Sequence, residues 1–285
     1  MQLFYVILIV FGALALLFWC YVIETLGMLY SAILCSVAKT LLTVHSQYGN
    51  LVVTRTYIGN RIVLINKGFI HSIHEAKTAI PEGYCGYKSG LADVMQHPNL
   101  LTQFAKIAMI GLGGGATLYY AKSEQTWLCY DVNPNVIELS RNTAFFNFVS
   151  NCPAQISIMC QDGFQDTAAL SQCDLIIVDT FLGGANVGSA ELINQLIPSL
   201  KPNSLLLLHA SGLSDAAIRI IQDFAVSMHY IAIIKEFPPQ NPTPWTCSWD
   251  EFTDPFQAPS QWLAITNNRQ YADKISLLPG WIIYV

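Results

Sequence analysis

The segment Ile107-Ala-Met-Ile-Gly-Leu-Gly-Gly-Gly-Ala-Thr-Leu118 sets the reading of the chain, together with Cys129-Tyr-Asp-Val-Asn-Pro134 downstream. Ile107 to Ile110 is a short apolar run of the kind that forms a buried strand. Gly111, Gly113, Gly114 and Gly115 break it, and a helix is expected to begin near Thr117. Glycines belong where a backbone turns sharply and comes close to a ligand. Asp131 ends the next apolar run, where its carboxylate can accept hydrogen bonds from two ribose hydroxyls. A glycine cluster alone also fits a plain tight turn. Followed by a second strand that ends in Asp, it points to an adenosine-type nucleotide. No Gly-Lys-Ser/Thr follows the glycines, so a P-loop is absent.

Outward from this segment, apolar runs alternate with helical patterns. Strands are predicted at Ile107–Ile110, Trp127–Tyr130, Gln155–Cys160, Leu175–Val178 and Ser204–Leu208, with helices starting near Thr117, Asn135, Thr167 and Ala190. Such alternation requires an α/β fold with a doubly wound, mostly parallel, Rossmann-like sheet. Tyr230–Ile234 and Gln261–Thr266 have no helix between them, only a Pro- and Trp-rich loop, and read as an antiparallel hairpin at the sheet edge. Upstream, Leu51–Val53, Arg61–Ile65 and Phe69–Ile73 alternate in the β manner, with turns at Gly59-Asn60 and Asn66-Lys-Gly68. They predict a small meander over residues 43–80 ahead of a nucleotide-binding domain over 81–285. His71 and His74 are three apart, so a strand points them to opposite faces. They read as surface or packing histidines, and as poor metal ligands.

Sheets of this kind bind ligands at the carboxyl ends of their strands. The glycine loop, Asp131, Asp162-Gly163 and Asp179 fall there. Asp162 could accept from an adenine amino group or cap a helix. Asp179 is expected against the reacting end of the ligand, unless it is a turn residue before Gly183-Gly184. His209 ends the fifth strand at the same rim, as a substitute base or an ordinary rim histidine. No Ser-His-Asp arrangement is readable from the sequence.

Only 12% of the 285 residues are charged, against 53% hydrophobic, and the deficit is concentrated at the N-terminus. Leu3 to Ile23 carries no charge, and as a helix it would span roughly 31 Å, the thickness of a bilayer core. Residues 1–42 are therefore expected to be a single-pass membrane anchor with an apolar extension over Thr25–Leu42. The basic residues Lys39, Arg55, Arg61 and Lys67 follow, which places the globular part on the cytoplasmic side. A net charge of −5 without a basic run gives nucleic-acid binding no electrostatic support. The eight cysteines show no CxxC pair and no metal spacing, so no metal is expected, and several read as small apolar residues.

With these residues in place, the chain from about Ser46 onward resembles the polyamine aminopropyltransferases, the spermidine synthase family. Ser46-Gln-Tyr-Gly-Asn50 is similar to that family's S-x-Y-Q-x at the start of its β-hairpin, and Val63–Gly68 to its V-L-D-G. His97-Pro98, the glycine loop, Asp131, Asp162-Gly163 and Ile176–Asp179 follow in the family's order. The resemblance implies a class I methyltransferase-type fold, an S-adenosylmethionine-derived donor, a polyamine acceptor and a homo-oligomer. It also assigns a substrate contact to Asp93.

The departures lie on the polyamine side. The family's G-G-G-D-G-G-T-L corresponds to Gly111–Leu118, so Gly114 stands where an Asp would hold an aminopropyl ammonium. D-S-x-D-P corresponds to Asp179-Thr-Phe-Leu-Gly183, so Leu182 replaces the carboxylate that takes the amine's proton. Leu91 stands where a substrate-contacting Tyr is usual, and Asp131 replaces Glu. A polyamine is cationic at neutral pH and must lose a proton to attack, which is work for a carboxylate; methyl transfer depends more on alignment. Three readings follow. The first is an aminopropyltransferase using decarboxylated S-adenosylmethionine, with Asp179 as catalytic carboxylate. The second is an S-adenosylmethionine-dependent methyltransferase with another small acceptor. The third is a non-catalytic nucleotide-binding membrane protein.

Overall fold

A computed structural model describes residues 38–57, 59–67, 69–101, 105–180, 187–237 and 260–284. The anchor segment up to residue 37, Leu182 and the Pro- and Trp-rich loop lie outside the described residues. Among the described residues no helix is long and apolar enough to cross a membrane.

Two sheets make up the fold. The first is a four-stranded antiparallel meander in the order β1-β2-β3-β4, formed by Ala38–Val44, Leu51–Thr56, Arg61–Asn66 and Phe69–Glu75. Its first strand corrects the sequence expectation, which counted residues up to Leu42 with the apolar extension of the anchor. Ala38–Val44 instead pairs with β2, Ala38 opposite Thr56 and Val44 opposite Leu51. Lys39, Thr40 and Thr43 supply the polar and β-branched positions that suit a half-exposed strand.

The second sheet has eight strands: β5 Lys106–Ile110, β6 Thr126–Asp131, β7 Gln155–Cys160, β8 Leu175–Val178, β9 Leu205–His209, β10 Ile231–Phe237, β11 Ser260–Thr266 and β12 Trp281–Tyr284. Their order is β12-β10-β11-β9-β8-β5-β6-β7. The pairs among β7, β6, β5, β8 and β9 are parallel, and β9/β11, β11/β10 and β10/β12 are antiparallel. The two late strands do form an antiparallel pair, but β12, not assigned from sequence, takes the edge. The helices Asp215–Ser227 and Arg269–Ser276 were likewise unassigned. The first has a readable signal: Ser214 caps it by accepting from the Ala217 N–H, and Ala217, Ile218, Ile221 and Ala225 form its buried face.

Period-two alternation builds a core on each face of this sheet. Ile107 and Met109 face one core, which they share with Leu51, Val53 and Leu64 of the meander and with Leu91 and Met95 of the helix Gly90–Gln96. Ala108 and Ile110 face the other, with Ile193, Ile218 and Ile221. The meander is thus fastened over the sheet by shared apolar burial. β8 is buried along its whole length, as a central parallel strand covered on both faces must be.

Candidate functional site

The chain runs from β5 to β6 on one side, while β8 lies on the other side of β5. A crevice opens where strand order reverses in this way, at the carboxyl ends of the strands. At that point lies a cleft of about 150 Å³, lined by Tyr48, Asn66, Lys67, His71, Gly111, Gly113, Asp131, Val132, Asn133, Val136, Asp179 and Thr180. Gly111, Gly113, Asp131 and Asp179, all singled out from sequence, meet in it.

The glycine loop is built for close approach. Gly111, Gly113 and Gly115 have φ of 93°, 53° and 82°, the left-handed region in which other residues are strained. A Cβ on Gly111 would stand 2.0 Å from the Asp179 carbonyl oxygen, and one on Gly113 2.7 Å from that of His71. Bare backbone at these positions lets the ends of β5 and β8 and the meander converge. In place of the helix expected near Thr117 there is a five-residue 3-10 turn, Ala116–Tyr120.

Gly114 has a different reason. A Cβ there would lie 2.6 Å from Ser72 Oγ and 2.9 Å from Phe146 Cδ1. The volume that a side chain would need at this position is already filled by packing between the meander and the main domain.

Asp131 anchors the loop. Its Oδ2 accepts from the Leu112 N–H at 3.0 Å and its Oδ1 from the Asn133 N–H at 2.9 Å. Burial raises its pKa, while the N–H groups of Asn133, Leu112 and Gly113 and the nearby His71 pull it back. With three N–H groups on its four lone-pair sites, the carboxylate has one acceptor site left to offer. Two lining residues also carry buried polar atoms with no partner among the described residues, Asn66 Oδ1 and Asn133 Nδ2.

His71, expected from sequence to be a surface or packing histidine, is half-buried at the cleft. It lines the cleft with both carboxylates; burial lowers its pKa, against the raising effect of Asp179 and Asp131. Nothing in its spacing announced this, because its position follows from how the meander lies on the glycine loop. His74 fits the packing reading: it is buried, with its ring against Phe146 and Phe148 at 5.6 and 5.1 Å.

Asp179 leaves the end of β8 beside His209, whose Nδ1 lies 2.9 Å from Asp179 Oδ1. The imidazole is stacked between Tyr84, at 4.4 Å and 12°, and Trp262, at 4.9 Å and 24°. Tyr84 also donates its hydroxyl to the His71 carbonyl at 2.7 Å. Tyr84 and Cys85 both have pKa values well above the ordinary, chiefly through burial and next through the Asp179 charge. Neither is set up to ionise.

Other sequence candidates lie elsewhere. Asp162 caps the turn Gly163–Gln165 by accepting from the Phe164 N–H at 3.0 Å, and a Cβ on Gly163 would press on Ile110 and Tyr130 at 2.9 Å. Neither lines the cleft. Asp93 accepts from Lys235 Nζ at 2.5 Å and from Trp281 Nε1 at 2.7 Å, which neutralises it and ties the helix Gly90–Gln96 to the antiparallel strands. Among the described residues no cluster of His, Cys, Asp and Glu could hold a metal. Cys85, Cys129, Cys152, Cys160 and Cys173 are free thiols, and burial pushes the Cys129 thiol up to about 12.

The Rossmann-like fold is shared with solved spermidine synthases. Spermidine synthase from Thermotoga maritima superposes with a TM-score of 0.58 at 13% identity, over 83% of this chain and 75% of that one. A spermidine synthase in complex with the transition-state analogue AdoDATO gives 0.57 at 14% identity, with the same coverage of both chains. No family model matches the sequence, and no curated protein matches it.

Proposed function

We propose that the cleft binds the adenosyl part of S-adenosylmethionine or its decarboxylated form, and that a group passes from the sulfonium to a small acceptor held near Asp179. One observation carries this reading: a single cleft at the strand-order switch point is lined at once by Gly111, Gly113, Asp131 and Asp179. Asp131 receives a ribose hydroxyl on its remaining lone pair, and bare backbone at Gly111 and Gly113 admits the ligand edge. Asp179 faces the reacting end as the remaining anionic contact and takes the acceptor's proton, a role typically worth about 10²–10⁴-fold in rate. Likeness in fold to the spermidine synthases supports aminopropyl transfer as the parent chemistry.

A second reading, methyl transfer from intact S-adenosylmethionine, is favoured by two specific observations. The Gly114 position is closed by Ser72 and Phe146, so no carboxylate stands there to hold an aminopropyl ammonium or repel the donor's own carboxylate. Asp93 is spent on Lys235 and Trp281. The anchor over Leu3–Ile23, proposed to hold the chain on the cytoplasmic face of a membrane, makes a lipid-associated acceptor natural for this chemistry. Incubation of the full chain with each donor and a panel of small amines separates the readings. Methylthioadenosine marks aminopropyl transfer and S-adenosylhomocysteine marks methyl transfer. Release of neither, with the donor bound and membrane lipids included among the acceptors, refutes the transferase reading and leaves a nucleotide-binding protein.

A further inference from the structure

The nucleotide cleft uses only the first member of a row of three side chains. Asp179 Oδ1 lies 2.9 Å from His209 Nδ1, and His209 Nε2 lies 2.9 Å from Ser211 Oγ. A carboxylate can only accept, so Nδ1 carries the proton; Nε2 then holds the lone pair, and the Ser211 hydroxyl donates to it. The ring cannot swing out of this alignment, because Tyr84 and Trp262 are stacked on its two faces. Ser211 Oγ accepts a further bond from the Gln261 N–H at 2.8 Å, which favours negative charge on that oxygen. Ser211 is exposed, and a Cβ built on the next residue, Gly212, would meet nothing within 4 Å. A nucleophile, a base and a group that orients the base, with open space beside the nucleophile, is the arrangement by which acyl-transfer sites are recognised whatever the fold. The sequence hid it, since Asp179 and His209 are 30 residues apart and nothing in a His-Ala-Ser run marks a nucleophile.

We propose that Ser211 is a second reactive centre, a nucleophile towards small activated acyl groups such as aryl esters, with His209 as its base and Asp179 as the residue that positions His209. Ser211 Oγ bonds to the ester carbonyl carbon while its proton passes to His209 Nε2. The tetrahedral adduct then breaks its acyl C–O bond and expels the aryloxide, which takes that proton from Nε2 and leaves as the phenol. Water repeats the sequence on the acyl-serine, releasing the carboxylic acid and regenerating the hydroxyl. No oxidant, metal or further reactant is needed. This centre goes beyond the transferase reading and shares only Asp179 with it.

The test is labelling of the full chain with a fluorophosphonate, followed by peptide mapping. A single phosphonyl adduct on Ser211 is expected, absent in Ser211→Ala and formed at least about 100-fold more slowly in His209→Asn. No adduct on Ser211 in the wild-type protein overturns the proposal without reference to any variant. Equal labelling rates in wild type and His209→Asn overturn it as well, because the serine would then owe nothing to the imidazole. Should His209→Asn fail to fold, Asp179→Asn is read in its place with the same two outcomes. Donor binding without labelling refutes this centre alone, and labelling without donor binding refutes the nucleotide reading alone.

Discussion

An Asn at position 131 keeps one carbonyl oxygen for one of the Leu112 and Asn133 N–H groups that Asp131 now holds on separate oxygens at 3.0 and 2.9 Å, turns an amide NH2 towards the other, and brings no charge to the ribose. Hydrogen bonds to charged groups contribute about 1.5–3 kcal/mol against about 1 for neutral ones. Asp131→Asn should therefore weaken donor binding by about 2- to 30-fold and lower the thermal midpoint, though by less than Asp131→Ala does, which calorimetry and a melting curve check together. Asp131→Ala strands both N–H groups and should also lower stability by about 1–3 kcal/mol. Gly114→Asp tests whether the missing acid can be put back. Because Ser72 and Phe146 fill that space, the variant should lose about 1–3 kcal/mol to overpacking and gain no turnover of diamines. Restored diamine turnover at an unchanged melting temperature would show the position to be open. The sequence revealed that the acid is missing at Gly114; it could not reveal that Ser72, forty-two positions upstream, had closed the gap.

Strand β4 shows how far periodicity reaches at the scale of an element. A period of two correctly gives His71 and His74 different surroundings, yet not which surroundings, because these depend on where the meander settles. His74 is buried between aromatic rings, and desolvation lowers its pKa from 6.5 to about 4, with Phe145 and Glu75 acting weakly the other way. Unfolding lets it take up a proton between those values, so the unfolded state binds more protons there and stability falls as pH falls. The loss should be complete below about pH 4 and amount to about 3 kcal/mol. Burial shifts His71 in the same direction, whereas Asp131, raised from 3.8 chiefly by burial, acts in the opposite sense. Replacing His74 by Phe, which suits the contacts with Phe146 and Phe148, should flatten the dependence of unfolding free energy on pH between 6.5 and 4; an unchanged slope would exclude this histidine as the cause. The parallel strands β5, β6 and β8 were legible because each is a short apolar run closed by Gly111, Asp131 or Asp179. The expected helix near Thr117 was not borne out, because Gly115 enters it in the left-handed region and the turn stays 3-10 over Ala116–Tyr120.

For the whole molecule, alternation of strand and helix was enough to indicate a doubly wound sheet, and the polar ends of β5, β6 and β8 were enough to locate the cleft. Edge order was not legible: β12 follows a short helix late in the chain and pairs with β10 through contacts that no local pattern encodes. The site's aromatic side was equally hidden, since Tyr84, His209 and Trp262 come from three distant segments. The proposed anchor acts at this scale too. The full chain should stay with the membrane fraction through carbonate extraction, and arginines in place of Leu8 and Val10 should release it, each costing about 2.5–3.5 kcal/mol within a bilayer core. A chain found in the soluble fraction before any substitution would dismiss the anchor and leave the cleft untouched.

The most direct measurement of the central claim is calorimetric titration of the full chain with S-adenosylmethionine and with its decarboxylated form, in wild type and Asp131→Asn. The cleft lined by Gly111, Gly113, Asp131 and Asp179 predicts saturable one-site binding of at least one of the two nucleotides, weakened about 2- to 30-fold by the substitution. Absence of heat from both in a folded protein, or equal affinity with and without the Asp131 charge, would contradict it.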